Sequence, residues 1–140
     1  MIGIKSKVSR RNVYYYAHLQ RLRDAQALFE KRRWVGCIYM AGIAVECVLK
    51  YAVCVRENVI HLVDATPELL SKRGHDLREL LRRSGLGFAP KEYEMMRRFA
   101  LLTSWDIGIR YESSDGSAKD AQRFLDAAVT FCQWVIQKRA

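Results

Sequence analysis

Residues 34–55 read WVGCIYMAGIAVECVLKYAVCV, and the only charges among them are Glu46 and Lys50. A segment apolar on every side belongs at the centre of a helical bundle, not on its surface. Glu46 and Lys50 stand four residues apart, so on a helix they share a face and can pair. A carboxylate inside such a helix must find a partner or lose its charge. That makes Glu46 either a structural pin or part of a site. The spacing predicts one stripe through Trp34, Ile38, Ala41, Val45, Val48 and Ala52, and a second through Tyr39, Gly42, Glu46 and Lys50. Gly36, Ala41, Gly42 and Ala44 leave thin places where a neighbour can approach closely. The stretch is long enough to cross a bilayer, which takes roughly 20 apolar residues. Its uninterrupted part ends at Val45, however, and each charge would cost about 3 kcal/mol near the bilayer centre. The expectation is a buried core helix and no membrane.

Working outward, residues 1–11 form a basic arm. Asn12 is placed to cap a first helix that runs to about Arg33. Tyr15, Leu19, Leu22, Ala25 and Phe29 recur at helical spacing as its core stripe, with Arg23, Asp24, Glu30 and Lys31 toward water. A tight bend at Arg32–Arg33 leads into the apolar helix. Residues 56–73 are a polar connection, in which Thr66-Pro67 predicts a short helix over Pro67–Ser71. Asp76-Leu77-Arg78-Glu79 has capping-box spacing and starts a helix through Leu77, Leu80 and Leu81 to about Ser84, ended by Gly85-Leu86-Gly87. Pro90 opens a further long helix ending near Asp106, with Tyr93, Met96, Ala100 and Thr103 inward. Ile107–Gly116 reads as a loop. Ser117-Ala118-Lys119-Asp120 repeats the capping pattern, and the last helix runs to about Lys138 on a stripe of Ala121, Leu125, Ala128, Cys132 and Val135. No strand periodicity persists. The fold class is all-α: an antiparallel bundle of four long helices plus one or two short ones, in one domain over residues 12–140.

The 140 residues carry 24 basic and 15 acidic side chains, a formal net charge of +9. The excess lies in residues 1–33 and 71–98, while residues 99–140 balance. A basic surface favours nucleic acid or phosphate ligands, or an anionic partner protein. Cys37, Cys47, Cys54 and Cys132 all fall in apolar helical patterns without a CxxC pair, so they read as buried thiols of a reducing cytosol. The basic N-terminus lacks an apolar h-region, which predicts no secretory signal. No P-loop, GxGxxG, HExxH, Gly-x-Ser-x-Gly or metal-spaced Cys/His cluster occurs, so neither a cofactor nor a metal site is expected.

The polar candidates are few. Glu46 and Lys50 form an intrahelical ion pair, completed by an arginine from another helix, or else line an interhelical pocket. His75 and Asp76, in Gly74-His75-Asp76-Leu77, sit where a helix begins. Asp76 serves as its N-cap, and His75 either packs beside the cap or faces an anion at the helix N-terminus. Trp105, Arg110 and Tyr111 lie in TSWDIGIRYESSDG, where Arg110 offers a five-donor fork for phosphate or reaches back to Glu46. Arg56 stands five positions before His61, and an Arg/His pair is a workable set for metal-independent RNA cleavage.

The run AGIAVECVLKYAV, then GHDLRELL, then Trp105-x4-Arg110-Tyr111, then an amphipathic last helix resembles the bacterial HEPN domain family over roughly Asn12–Arg139. Ala44, Glu46, Leu49 and Lys50 match its A-x-E-x-x-L-K segment, Gly74–Leu77 its Gly-His-Asp-Leu turn, and Arg110-Tyr111 its Arg-Tyr pair. The resemblance implies a cytosolic helical bundle that works as a homodimer and binds nucleotide or RNA. It implies a site drawn from Glu46, Lys50, His75, Asp76, Arg110 and Tyr111. It also implies a nucleotidyltransferase partner in a toxin–antitoxin or defence-type complex. Some members are ribonucleases with an Arg, roughly four to six residues, then a His near the last helices. No histidine follows His75 here, and Glu112 replaces the proline expected after the Arg-Tyr pair. A ribonuclease built from Arg56, His61, His75 or Arg110 is one alternative, and a structural interaction module is another.

Overall fold

The apolar helix organises everything around it. A computed structural model of the chain describes residues 10–65, 75–105 and 116–139. Helix α1 (Arg11–Glu30) and helix α2 (Trp34–Glu57) form a hairpin whose turn places Arg32 at a φ of 60°. A one-turn helix α3 (Leu62–Ala65) follows, then α4 (Leu77–Ser84), a 3₁₀ turn over Pro90–Glu92, α5 (Tyr93–Leu102) and α6 (Ala118–Arg139). No strand occurs among the described residues, and Arg10 and His61 make one isolated antiparallel bridge. Helix α2 packs against α1, α4 and α6, and α5 packs on α6.

Helix α2 is apolar all round because it has neighbours all round. Ala41, Val45, Val48, Leu49 and Ala52 are fully buried, and 61% of its most apolar window is buried inside the bundle. That is a core helix, as the two charges in it predict. Against it lie the α6 residues Ala121, Leu125, Ala128, Cys132 and Val135, all buried. An aromatic stack seals the α5–α6 side: Phe88 over Trp134 at 4.9 Å and Phe99 against Phe131 at 5.1 Å between centroids. Such pairs contribute about 0.5–1.5 kcal/mol beyond their buried area. Burial also pushes up the thiols of Cys37 and Cys54 to about 11 and of Cys47 to about 12, and that of Cys132 higher still.

Helix α4 is short and is held at both ends. At its start the Asp76 carboxylate accepts the N–H groups of Arg78 and Glu79 at 3.1 and 3.2 Å, a cap worth about 1 kcal/mol. Glu79 does not close the capping box. It binds Arg82 and Arg83 at 2.7 and 3.0 Å instead. At its end Gly85 takes a left-handed φ of 74°, and a Cβ there would press within 2.9 Å of the Arg56 guanidinium. Arg56 of α2 donates to the Arg83 carbonyl at 3.0 Å, and Arg139 of α6 donates to that of Ser84. These carbonyls have no partner within their own helix, so two neighbouring helices supply one.

Several sequence expectations are corrected. Helix α1 begins at Arg11 and Asn12 lies inside it, with Arg10 at the cap position and no side-chain cap. Ala25 of the expected stripe is fully buried and Leu22 and Phe29 pack against the core, but in the first half of the helix Tyr14 and His18 face inward in place of Tyr15 and Leu19, which is partly exposed. Helix α5 ends at Leu102 and turns Phe99 and Leu102 inward, leaving Tyr93 and Met96 in solvent. The Phe99–Phe131 contact sets that orientation, and the Tyr93 ring lies beside Arg97 on the surface. The sequence reading missed helix α3. The expected helix over Pro67–Ser71 falls outside the described residues.

At Gly42 a neighbouring side chain comes very close to helix α2. A Cβ built on Gly42 would fall 2.0 Å from Nε1 of Trp105, whose indole occupies that space. Gly42→Ala is therefore expected to destabilise the fold by about 1–3 kcal/mol in urea denaturation, because the ring must move off the helix. Glu92 generates a second prediction. The Ala89 N–H (2.9 Å), the Trp134 indole N–H (2.6 Å) and the Lys138 ammonium (3.3 Å) hold its carboxyl down at about 2, from the ordinary 4.5. A lowered carboxyl means the folded state binds fewer protons than the unfolded one. Its stabilisation is complete above pH 4.5 and lost as pH falls toward about 2. Urea midpoints measured across that window will fall with pH, and Glu92→Gln will flatten the slope.

Candidate functional site

Glu46 lies on the face of α2 that also carries Gly42 and Lys50. Its side chain is 7% exposed, yet both oxygens are satisfied. Oε2 accepts from Lys50 Nζ at 2.9 Å and Oε1 accepts from His75 Nδ1 at 2.7 Å. The Lys50 pair follows from helical spacing. The His75 pair joins residues 29 apart in sequence and ties the start of α4 to the middle of α2. Lys50 is itself 10% exposed, and its ammonium lies 5.7 Å from the centroid of the Tyr14 ring on α1. Burial, with Cys54, Cys47 and Glu46 nearby, pushes the Tyr14 hydroxyl up. A charge pair removed from water breaks even only when its remaining hydrogen-bonding capacity is met. His75 meets it here.

That bond also sets the state of the imidazole. A carboxylate only accepts, so Nδ1 carries the hydrogen and Nε2 is left for another partner. The His75 side chain is 41% exposed, the one member of the trio that reaches solvent. It lines a pocket of about 180 Å³ together with Asp76, Leu77, Arg78, Thr103 and Trp105. Arg78 leans on the Thr103 hydroxyl at 3.4 Å. Trp105 is buried and its indole Nε1 lies against Gly42, one turn before Glu46, with no acceptor among the described residues. The pocket therefore presents the Nε2 lone pair of a fixed imidazole, a guanidinium, a hydroxyl that donates to the Ala100 carbonyl at 2.7 Å, and the Asp76 carboxylate. Arg78 is the lining group that suits an anionic oxygen. The α4 N-terminus adds little, because Asp76 already occupies two of its N–H groups.

The structure thus gathers Glu46, Lys50, His75, Asp76 and Trp105. Arg110 and Tyr111 lie outside the described residues. The arginine expected on Glu46 is not found among the described residues, where Lys50 and His75 occupy both carboxylate oxygens. The Arg56 guanidinium is committed to the carbonyl end of α4. The sequence reading passed over Arg78 and Thr103. The only available signal for Arg78 was its place two residues after a cap, which also describes an ordinary surface arginine. No group of three or more metal-ligating side chains occurs among the described residues.

The HEPN domain family model matches residues 19–139. The chain belongs to the HEPN domain family, and its all-helical bundle agrees with that fold. No curated protein and no solved structure matches the chain.

Two mutations separate the pin from the pocket. Glu46→Gln leaves the buried Lys50 without its counter-charge and is expected to cost about 3–5 kcal/mol in urea denaturation. His75→Ala removes one hydrogen bond at a half-exposed position and is expected to cost about 1.5 kcal/mol.

Proposed function

We propose that this HEPN domain is a cytosolic nucleotide- or RNA-binding protein, and that the pocket at His75 receives a phosphate. The observation that carries this reading is the Glu46–His75 hydrogen bond. It spends a buried carboxylate on orienting one half-exposed imidazole beside the Arg78 guanidinium. A volume of about 180 Å³ is below the 300–1,000 Å³ usual for whole small ligands, so it suits one charged group of a larger molecule. The formal charge of +9 favours polyanions at a distance. Arg110 and Tyr111, matched to the family's Arg-Tyr pair, complete the reading as a second phosphate contact and a stacking surface. The family resemblance adds a homodimer and a nucleotidyltransferase partner of the toxin–antitoxin kind.

A second reading is favoured by the same hydrogen bond. An imidazole held at Nδ1 by a carboxylate is arranged as a general base. In metal-independent RNA cleavage, His75 Nε2 would take the 2′-hydroxyl proton as the 2′-oxygen attacks phosphorus. The bond to the 5′-oxygen breaks, that oxygen takes a proton from water, and a 2′,3′-cyclic phosphate remains. Arg110 would stabilise the charge on the phosphorane.

Fluorescence-anisotropy titration with labelled RNA and with ATP tests the first reading. His75→Ala and Arg110→Ala are each expected to weaken binding about ten-fold or more, and affinity will fall steeply with added salt. Unchanged binding in both variants overturns the assignment. Incubation of structured RNA with EDTA tests the second. Cleavage to cyclic-phosphate ends that His75→Ala abolishes supports it, and an intact substrate removes it.

A further inference from the structure

A larger cavity of about 540 Å³ lies between α1 and α6, but no Asp, Glu, Lys or Arg lines it, and its histidine, His18, donates from Nδ1 to the Tyr15 carbonyl of its own helix. His75 is placed differently. Its Nδ1 bond runs to a carboxylate that is shared with a buried ammonium. Glu46 carries one negative charge at 7% side-chain exposure, and Lys50 carries one positive charge at 10%. The pair is neutral as it stands. A proton added to His75 gives the trio a net positive charge with two of its members out of water, where like charges repel strongly. Without Lys50 the sum reverses. The buried carboxylate is then unanswered, and a proton on His75, 2.7 Å away, is the nearest counter-charge. The other groups around the ring leave that balance in place. On α4, Asp76 and Arg78 line the pocket with opposite charges, and the Asp76 carboxylate is bonded to the backbone of its own helix. Beyond the end of α5 come Thr103 and Trp105, neither of them charged.

We propose that Lys50 is a positioning residue for the His75 pocket: through Glu46 it keeps a second hydrogen off the imidazole, so that Nε2 accepts a hydrogen bond from the ligand instead of donating one. Lys50 does not line the pocket, and its ammonium is turned to Glu46 and the Tyr14 ring. The consequence is a choice of ligand. Arg78 supplies donors for an anionic oxygen and Nε2 supplies an acceptor, so the pocket fits an anion with a hydroxyl beside it. A ribose phosphodiester has that pair in its 2′-hydroxyl, and the deoxy form lacks it. The choice of ligand rests on the phosphate reading of the pocket; the role of Lys50 does not.

Ring nitrogen-15 shifts of the full chain at neutral pH are expected to show His75 with a hydrogen on Nδ1 alone. Lys50→Met will place hydrogens on both ring nitrogens at the same pH in a measurable share of molecules. Lys50→Arg restores the charge and will return the wild-type spectrum. A measurement on the wild type keeps the test independent of whether Lys50→Met folds. Coupling between two sites is reciprocal, so the Lys50 Nζ resonance will move at the pH where His75 takes up its second proton. In His75→Ala that step will be absent. Binding is read with the dinucleotide uridylyl-uridine, whose phosphodiester charge does not change with pH in this range. The wild type will bind it about ten-fold more tightly than its 2′-deoxy form. Lys50→Met will bind the two alike. Four outcomes overturn the role of Lys50: two hydrogens on wild-type His75 at neutral pH, a His75 spectrum unmoved in a folded Lys50→Met, a Lys50→Arg that behaves like Lys50→Met, or a Lys50 resonance indifferent to His75. Equal binding of the two dinucleotides by the wild type overturns the choice of ligand. Binding of neither overturns the phosphate reading, and the ring spectra still decide the role of Lys50.

Discussion

One carboxylate in a greasy helix governs this molecule. Glu46 is surrounded by Val45, Val48 and Leu49, residues with no exposed surface at all. In such surroundings charge interactions are several times stronger than in water, and an unmet charge is correspondingly costly. Lys50, one turn on, answers the charge but cannot satisfy both oxygens. The second oxygen draws in His75 from the far side of a connection, and with it the start of α4. The position of α4 then calls for Arg56 and Arg139 at its other end. A chain of polar contacts therefore leads from the middle of the core to the carbonyl end of a surface helix. Each link is present because the one before it would otherwise be left incomplete.

Much of this frame can be read directly from residue pattern. Helices α2 and α6 announce themselves because apolar residues recur over twenty or more positions with no competing signal. The Asp76 cap and the Gly85 stop are local chemistry and are equally plain. Failures cluster where two faces of a helix are almost equally apolar. Tyr14, Tyr15 and Tyr16 are adjacent, and periodicity alone cannot say which of them faces inward; it is Tyr14 that is buried, beneath the Lys50 ammonium. In α5 the same ambiguity is resolved by Phe131 on another helix. The His75 partnership is illegible for a deeper reason, since 29 residues separate it from Glu46 and nothing local marks the pairing. An arginine is the commoner partner for a buried acid, and chemical habit pointed to Arg110.

The two cavities differ in kind, and the difference follows from the helices that border them. Where α4 and the end of α5 approach α2, caps and turns bring polar side chains together, and the pocket is small and polar. Where α1 and α6 run alongside each other, only mid-helix positions meet, and the space is larger and nearly without charge. Histidine appears in both but in opposite circumstances. His75 is oriented by a carboxylate and open to solvent. His18 is tied to its own backbone and enclosed.

Three of the four thiols have a use that their chemistry suggests. Cys37, Cys54 and Cys132 are distributed over α2 and α6, are all buried, and are held in the protonated, unreactive form by their surroundings. Alkylating reagents reach such sulfurs only when the helices part. The pace at which each cysteine is modified therefore clocks the breathing of its own stretch of the bundle, helix by helix, without any label being introduced.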